Sequence, residues 1–242
     1  MNPILTCRDL TRAILHALAC LLTTLTLASP LAVKACDAPP IHDEPTRALF
    51  ATPALDGWSV QRFDGDTIYT SEQGVAPEPH IQVHAFAHGT ASGRILEIEL
   101  NPQEWRCLTW SWRVGMPVAV ENVRTRSGDD FAARVYVVFS GGWAPWRATS
   151  LVYVWGASDA PLDFWRNPYT AQARMMAATR GHDDEGWTVV KRDLVTDYRD
   201  AFNRDPPPIV AIAIMSDTDQ TGTAVSASYG DLMIHRMPAS TR

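Results

Sequence analysis

The chain has 242 residues, 46% of them hydrophobic and 20% charged, with a formal net charge of -6, an ordinary globular composition. An acidic balance without any Lys/Arg run excludes a partner bound through neutralised phosphates, so no nucleic acid is expected. The length suits one β-rich domain rather than two.

Residues 1–35 read as a signal peptide. Arg8 and Arg12 precede an apolar run from Ala13 to Leu27, and Val33-Lys34-Ala35 marks a peptidase cut before Cys36. Removing three basic residues and one acidic residue leaves 18 and 26, a mature charge of about -8. The expected location is therefore the periplasm or cell envelope. Cys36 at the cut admits a second reading, a lipoprotein, and a retained anchor is a third, since the run is just long enough to span. Membrane contact is expected only through the leader or a lipidated Cys36. Cys7 and Cys20 leave with the leader, so Cys36 and Cys107 are the mature pair. In an oxidising compartment they suggest a disulfide; acylation of Cys36 would instead leave Cys107 a lone thiol.

Residues 36–54, rich in Pro and charge and without periodicity, read as a linker, and residues 55–238 as the domain. Trp58–Phe63 and Thr67–Ser71 alternate like a hairpin around Asp64-Gly65-Asp66. In His80–His88 strand alternation puts His80, Gln82, His84, Phe86 and His88 on one face; successive His on that face are about 13 Å apart when four residues separate them, too far to share an ion, so a polar outer face is expected. Gly93–Leu100 sets Leu96, Ile98 and Leu100 against Glu97 and Glu99. Trp105–Val114 sets Leu108, Trp110, Trp112 and Val114 against Cys107, Thr109 and Arg113, and the Trp face is the core face. Phe131–Phe139 is apolar on both faces except for Arg134. A buried guanidinium needs a carboxylate, and Asp129, Asp130, Asp217 and Asp219 are the candidates.

Trp143 and Trp146 lie in a Gly/Pro loop ahead of the strand Thr149–Trp155. Flat rings there suit sugar stacking or a partner surface. Asn167–Gly181 fits a helix or an edge strand. Trp187–Arg192 is a strand, and Asp193 caps a short helix with Leu194, Tyr198, Ala201 and Phe202 on one side. After Pro206-Pro207-Pro208, Ile209–Met215 and Thr223–His235 read as two strands joined by the tight acidic loop Asp217–Gly222, with a break at Tyr229–Asp231. The expected fold class is all-β, a two-sheet antiparallel jelly-roll sandwich with one or two inserted helices.

Several segments together resemble a known bacterial family. They are Leu108-Thr-Trp-Ser-Trp-Arg-Val114, Gly128-Asp-Asp-Phe-Ala-Ala-Arg134, Leu151-Val-Tyr-Val-Trp-Gly156 and Asn167-Pro-Tyr. Arg192-Asp193 with Asp197-Tyr198 follow, and Asp217-Thr-Asp-Gln-Thr-Gly leads to Tyr229-Gly-Asp231. Over roughly residues 55–236 the chain resembles the domain-of-unknown-function family numbered 3047. Ser111, Gln220 and Asn203 stand where that family usually has Arg, Asn and Gly. The resemblance implies an exported protein with no assigned activity and a galactose-binding-like sandwich. Such fold analogy does not by itself imply function.

The chemistry is read from the residues. A strand followed by Asp217-x-Asp219-x-Thr221-Gly is similar to the first motif of haloacid-dehalogenase-type phosphatases, but only 25 residues follow Asp217, too few for their other catalytic loops. Asp217, Asp219 and Thr221 also resemble the start of a Ca2+ loop, with Asp231 as a further ligand; Ser228 stands where an EF-hand has its Glu. No catalytic residue is assigned, and a resident metal or cofactor is not expected beyond these weak Ca2+ candidates. The leading expectation is a protein that binds a polar ligand, foremost a carbohydrate. Trp143, Trp146 and Trp155 would stack on it, and Arg134 with Asp129, Asp130, Asp217 and Asp219 would orient it. The alternatives are a structural or assembly factor of the cell envelope and a glycan hydrolase using Asp217 and Asp219.

Overall fold

The computed structural model describes Cys36 and residues 45–116, 118–181 and 186–237; the leader lies outside them. Period-2 alternation of apolar residues produces thirteen strands there: β1 (Thr46–Ala48), β2 (Trp58–Asp64), β3 (Ile68–Gln73), β4 (Ile81–His88), β5 (Ala91–Leu100), β6 (Trp105–Met116), β7 (Phe131–Phe139), β8 (Thr149–Gly156), β9 (Trp165–Arg166), β10 (Ala173–Arg180), β11 (Thr188–Asp193), β12 (Ile209–Asp217) and β13 (Ala224–Arg236). One α-helix, α1 (Leu194–Phe202), lies between β11 and β12. The strands form a two-sheet sandwich. One sheet runs β11-β6-β13-β4-β3, with β1 added to the end of β13, and the other runs β2-β5-β12-β7-β8-β10-β9.

The core is the space between the sheets. Val83, Ala85, Leu108, Trp110, Trp112, Ala227 and Tyr229 meet Ala133, Val135, Val137, Phe139, Tyr153, Ile212 and Ile214 there. Trp110 packs edge-on to Trp112 at 5.3 Å and lies 5.3 Å from Tyr153, so Trp110 and Trp112 of β6 supply the core face expected of them. The outer face of β7 is apolar because a second layer covers it. Ala160 and Trp165, from the chain between β8 and β10, pack with Phe131, Val152, Val154 and Met175 on that side.

Four expectations change. Trp58–Phe63 and Thr67–Ser71 are not a hairpin: β2 pairs with β5 and β3 with β4, in different sheets. Thr67 makes the crossing, its N–H donating to Ser92 Oγ and its hydroxyl to the Ser216 carbonyl. β12 and β13 likewise lie in opposite sheets, so the acidic turn arches over one end of the sandwich. Residues 36–54 are more than a linker. β1 pairs with β13, Leu49 and Phe50 enter the core, and Cys36 is bonded to Cys107 across a Cα separation of 5.7 Å. That bond uses the sulfur that lipidation of Cys36 would need. Finally, the ambiguous 167–181 stretch carries β10, a strand that pairs in parallel with β8, so this sheet is mixed rather than wholly antiparallel. A buried strand neighbour overrides helix propensity, because Ala173, Met175 and Ala177 reach the apolar layer only in a period-2 backbone.

The helix forms as its sequence dictates. The Asp193 carboxylate accepts from the N–H groups of Val195 and Thr196, and Arg106 Nε donates to both its oxygens. Leu194, Val195 and Tyr198 are buried, and Asn203 ends the helix in the left-handed region at φ 54°. That is the position where glycine is favoured and Asn is the next best choice. Asp193→Ala is expected to cost about 2 kcal/mol, since it deletes the cap and strands Arg106; thermal melts beside Asp193→Ser, which restores the cap acceptor alone, separate the two contributions.

Candidate functional site

The structure gathers part of the expected polar cluster. Arg134 Nε donates to Asp217 Oδ1 at 2.6 Å, its Nη2 reaches Asp217 Oδ2 and the Asp129 carbonyl, and its Nη1 lies 3.2 Å from Asp129 Oδ1. Asn167 closes the cluster by donating to Asp129 Oδ2, and the Phe131 ring covers the guanidinium at 4.7 Å. Arg134 and Asp217 are each 2% exposed, so the cluster is sealed beneath the outer layer rather than open to a ligand. Burial pushes Asp217 up to about 7 against the pull of Arg134, and burial raises Asp129 likewise. Burial would lower Arg134, but Asp217, Tyr136 and Asp129 outweigh it and hold the guanidinium charged.

Asp130 is completely buried and has a different task. Its carboxylate accepts from the N–H groups of Gln220 and Thr221 and shapes the acidic turn. Oxygens of Asp130, Asp217 and Asp219 lie within 4.8 Å of one another. The Asp217 oxygens already face Arg134 and those of Asp130 face backbone amides, so the fixed cation Arg134 stands where a Ca2+ cage would need free oxygens. Asp231 is not in this group. It sits at φ 41° in the β13 bulge, where its carboxylate accepts from the His80 N–H. The pairing of Asp217 and Asp219 across a glycan is likewise not available, because Arg134 occupies both Asp217 oxygens.

The tryptophans separate too. Trp155 is 5% exposed, packs against Trp112 at 5.8 Å and donates to the Gly181 carbonyl. Its signal, alternation within an apolar strand, was that of a core residue. Trp143 and Trp146 are 84% and 71% exposed. They lie beyond Phe139, whereas Arg134 is paired near the other end of β7 with Met215 and Val154. Five residues of strand put the two on the order of 17 Å apart, at opposite ends of the sandwich.

An open site lies elsewhere, on the outer face of β3, β4, β13 and β6. A groove of about 610 Å³ crosses it, lined by Thr70, His84, Phe86, Arg113, Trp187 and Ser228 among others. Strand alternation places His84 and Phe86 outward, as expected of the His80–His88 face. His84 Nδ1 lies 2.8 Å from Ser228 Oγ and its Nε2 3.1 Å from Glu72 Oε1. At the rim, the Arg113 guanidinium stacks 4.7 Å from the Trp187 ring, and Trp187 Nε1 donates to Glu78. Sequence reasoning missed Trp187, Arg113, Glu78 and Glu72 as a group because they belong to four segments joined only by pairing. The one available signal was a polar outer face carrying Phe86, which is 40% exposed.

Fold and site together define an all-β sandwich with an open, aromatic-edged groove on one sheet. The family model for a protein of unknown function (DUF3047) matches residues 56–233, and the chain belongs to that family. No curated protein matches it in sequence. Among solved structures it is similar to the family 11 carbohydrate-binding module of the cellulosomal cellulase Lic26A-Cel5E of Clostridium thermocellum, at 9% identity and a TM-score of 0.41 over 79% of this chain and 93% of that one. It is also similar to the xyloglucanase domain of NopAA from Sinorhizobium fredii, in complex with cellobiose, at 7% identity and a TM-score of 0.42 over 80% and 97%. Likenesses this distant carry no inference about a ligand.

Proposed function

We propose that this is an exported binding protein whose groove over the six-stranded sheet takes an uncharged glycan. One observation carries the reading. The groove combines the flat Trp187 and Phe86 surfaces with His84, Ser228, Thr70 and Arg113 on a rigid sheet, at about 610 Å³. That volume lies within the usual range for small-molecule sites. A sugar ring has an apolar face of C–H groups and an edge of hydroxyls, so it needs both components. Among the groove's lining residues Glu78 and Arg113 cancel in charge, which suits an uncharged chain. Export is supported by the leader-like residues 1–35 and by a disulfide, a bond that persists in oxidising compartments.

Titration calorimetry against a panel of neutral polysaccharides tests it. Trp187→Ala is expected to weaken binding about tenfold, equivalent to ~1.4 kcal/mol, and His84→Ala to weaken it in the same direction. Both should melt close to the wild-type temperature, because neither side chain belongs to the core. Silence across the panel, or binding indifferent to both substitutions, overturns the proposal.

A further inference from the structure

We infer that the opposite end of the sandwich, beside the 141–146 loop, is a second site that takes an anionic glycan, a sugar polymer bearing carboxylate or sulfate groups. The loop is a fixed support. Its backbone closes on itself through Arg147 N–H to the Ala144 carbonyl at 2.8 Å and Ala148 N–H to the Pro145 carbonyl at 3.0 Å. Gly141 is required there, because a Cβ would lie 2.2 Å from the Ala144 carbonyl oxygen. Ala144 is fully buried and pins the loop, while Trp143 and Trp146 point to solvent with their rings edge-to-face and centroids 6.1 Å apart. Two large apolar surfaces are thus held in water by a rigid backbone, and stacking on a sugar face would cover them.

Beside the loop lies a cleft of about 600 Å³ lined by Gly141, Gly142, Arg147, Gln172, Phe202 and Arg204. Its charge is opposite to that of the chain, which is -6 overall. Arg174 and Arg204 both lie over the Phe202 ring, at 5.0 and 6.0 Å, and Arg166 pairs across the strands with Arg174. Among the described residues none of Arg147, Arg166, Arg174 and Arg204 makes an ion pair, and the cleft carboxylate, Asp205, is already taken by Arg199 at 2.6 Å. Like charges grouped without counter-charges cost the fold stability, and an anionic ligand would offset that cost. Guanidinium groups pair with planar carboxylates and with sulfate-like oxyanions through two hydrogen bonds. This site does not depend on the sheet groove: it differs in place, in charge and in its aromatic residues.

The test uses the full chain in affinity electrophoresis through gels containing polygalacturonate, dextran sulfate or uncharged dextran, at 50 and 300 mM NaCl, beside flotation with phosphatidylglycerol vesicles. Retention by one or both anionic polymers and not by dextran is expected, weakening at least tenfold at the higher salt as screening shortens the reach of the arginines. Arg147→Gln with Arg204→Gln should lose at least tenfold in affinity, Trp143→Ala with Trp146→Ala about tenfold, and Trp187→Ala nothing. All four substituted positions at this site are exposed, so neither double variant should melt below the wild type, and relief of the arginine repulsion should leave the Arg double variant level with it or slightly above. Wild-type retention by the Arg double variant overturns the proposal. So does undiminished retention by the Trp double variant, which would mean unspecific charge attraction. Vesicle binding without polymer binding overturns it in favour of a membrane contact.

Discussion

Arg134→Met is expected to destabilise the fold by about 3–5 kcal/mol at pH 8 and by much less at pH 5, whereas Asp217→Ala should cost at least as much at pH 5 as at pH 8. The asymmetry lies in what each substitution leaves behind. Without Arg134, two buried carboxylates remain, Asp129 and Asp217, and burial already raises both, Asp217 up to about 7 with the guanidinium still pulling it down. Deleting that pull raises them further. The folded variant then binds more protons than the unfolded chain from about pH 4 up to the raised values, so its stability is greatest in acid and falls as pH climbs through that window. Asp217→Ala instead leaves a guanidinium that cannot shed its proton in this range, and it also loses the carboxyl whose raised value stabilises the wild type in acid, so its penalty does not fall at pH 5. Urea melts of the two variants at pH 5, 6, 7 and 8 check this. Equal losses for Arg134→Met across the series would contradict a buried ion cluster.

Cys36→Ser, or Cys107→Ser, should lower stability by about 4 kcal/mol through the extra freedom of the unfolded chain, a fall of roughly 10 °C in Tm for a protein of this size. The bond spans 71 residues. It fastens Cys36 to β6, where Cys107 pairs with both Asp193 and His235. Calorimetry with and without reductant should show the wild type moving to the variant's Tm. A thiol titration of the unreduced chain starting at Cys36 should find none free. A wild-type Tm unaffected by reductant, or one free thiol, would return the lone-thiol reading of Cys107.

Much of the fold was legible because alternation is local. The outward set His84, Phe86 and His88, the inward pair Trp110 and Trp112, and the Asp193 cap each follow from a few neighbouring residues, whereas Gln82, expected on the same outer face, is buried. Arg134 was legible for a related reason: a lone cation in an apolar strand must find an anion, and Asp129 and Asp217 supply it. What that argument could not show was whether the cluster opens outward. The answer rests on Asn167 and Phe131, which roof it, and on the Trp165 layer packed over β7 and β8.

The sequence by itself determined a chain dominated by strands, which face of β5 and β6 is apolar, where the helix starts, and that Arg134 needs carboxylates. Only the tertiary structure decided which strands are partners. An arch between sheets and a hairpin within one share the same period-2 pattern and the same turn residues, so β2–β3 and β12–β13 look alike from either side. It also decided where the candidate sites lie. Trp187, Arg113, His84 and Glu72 are up to 115 residues apart and become neighbours through strand register alone, while the same register sends Trp143 and Arg134 to opposite ends.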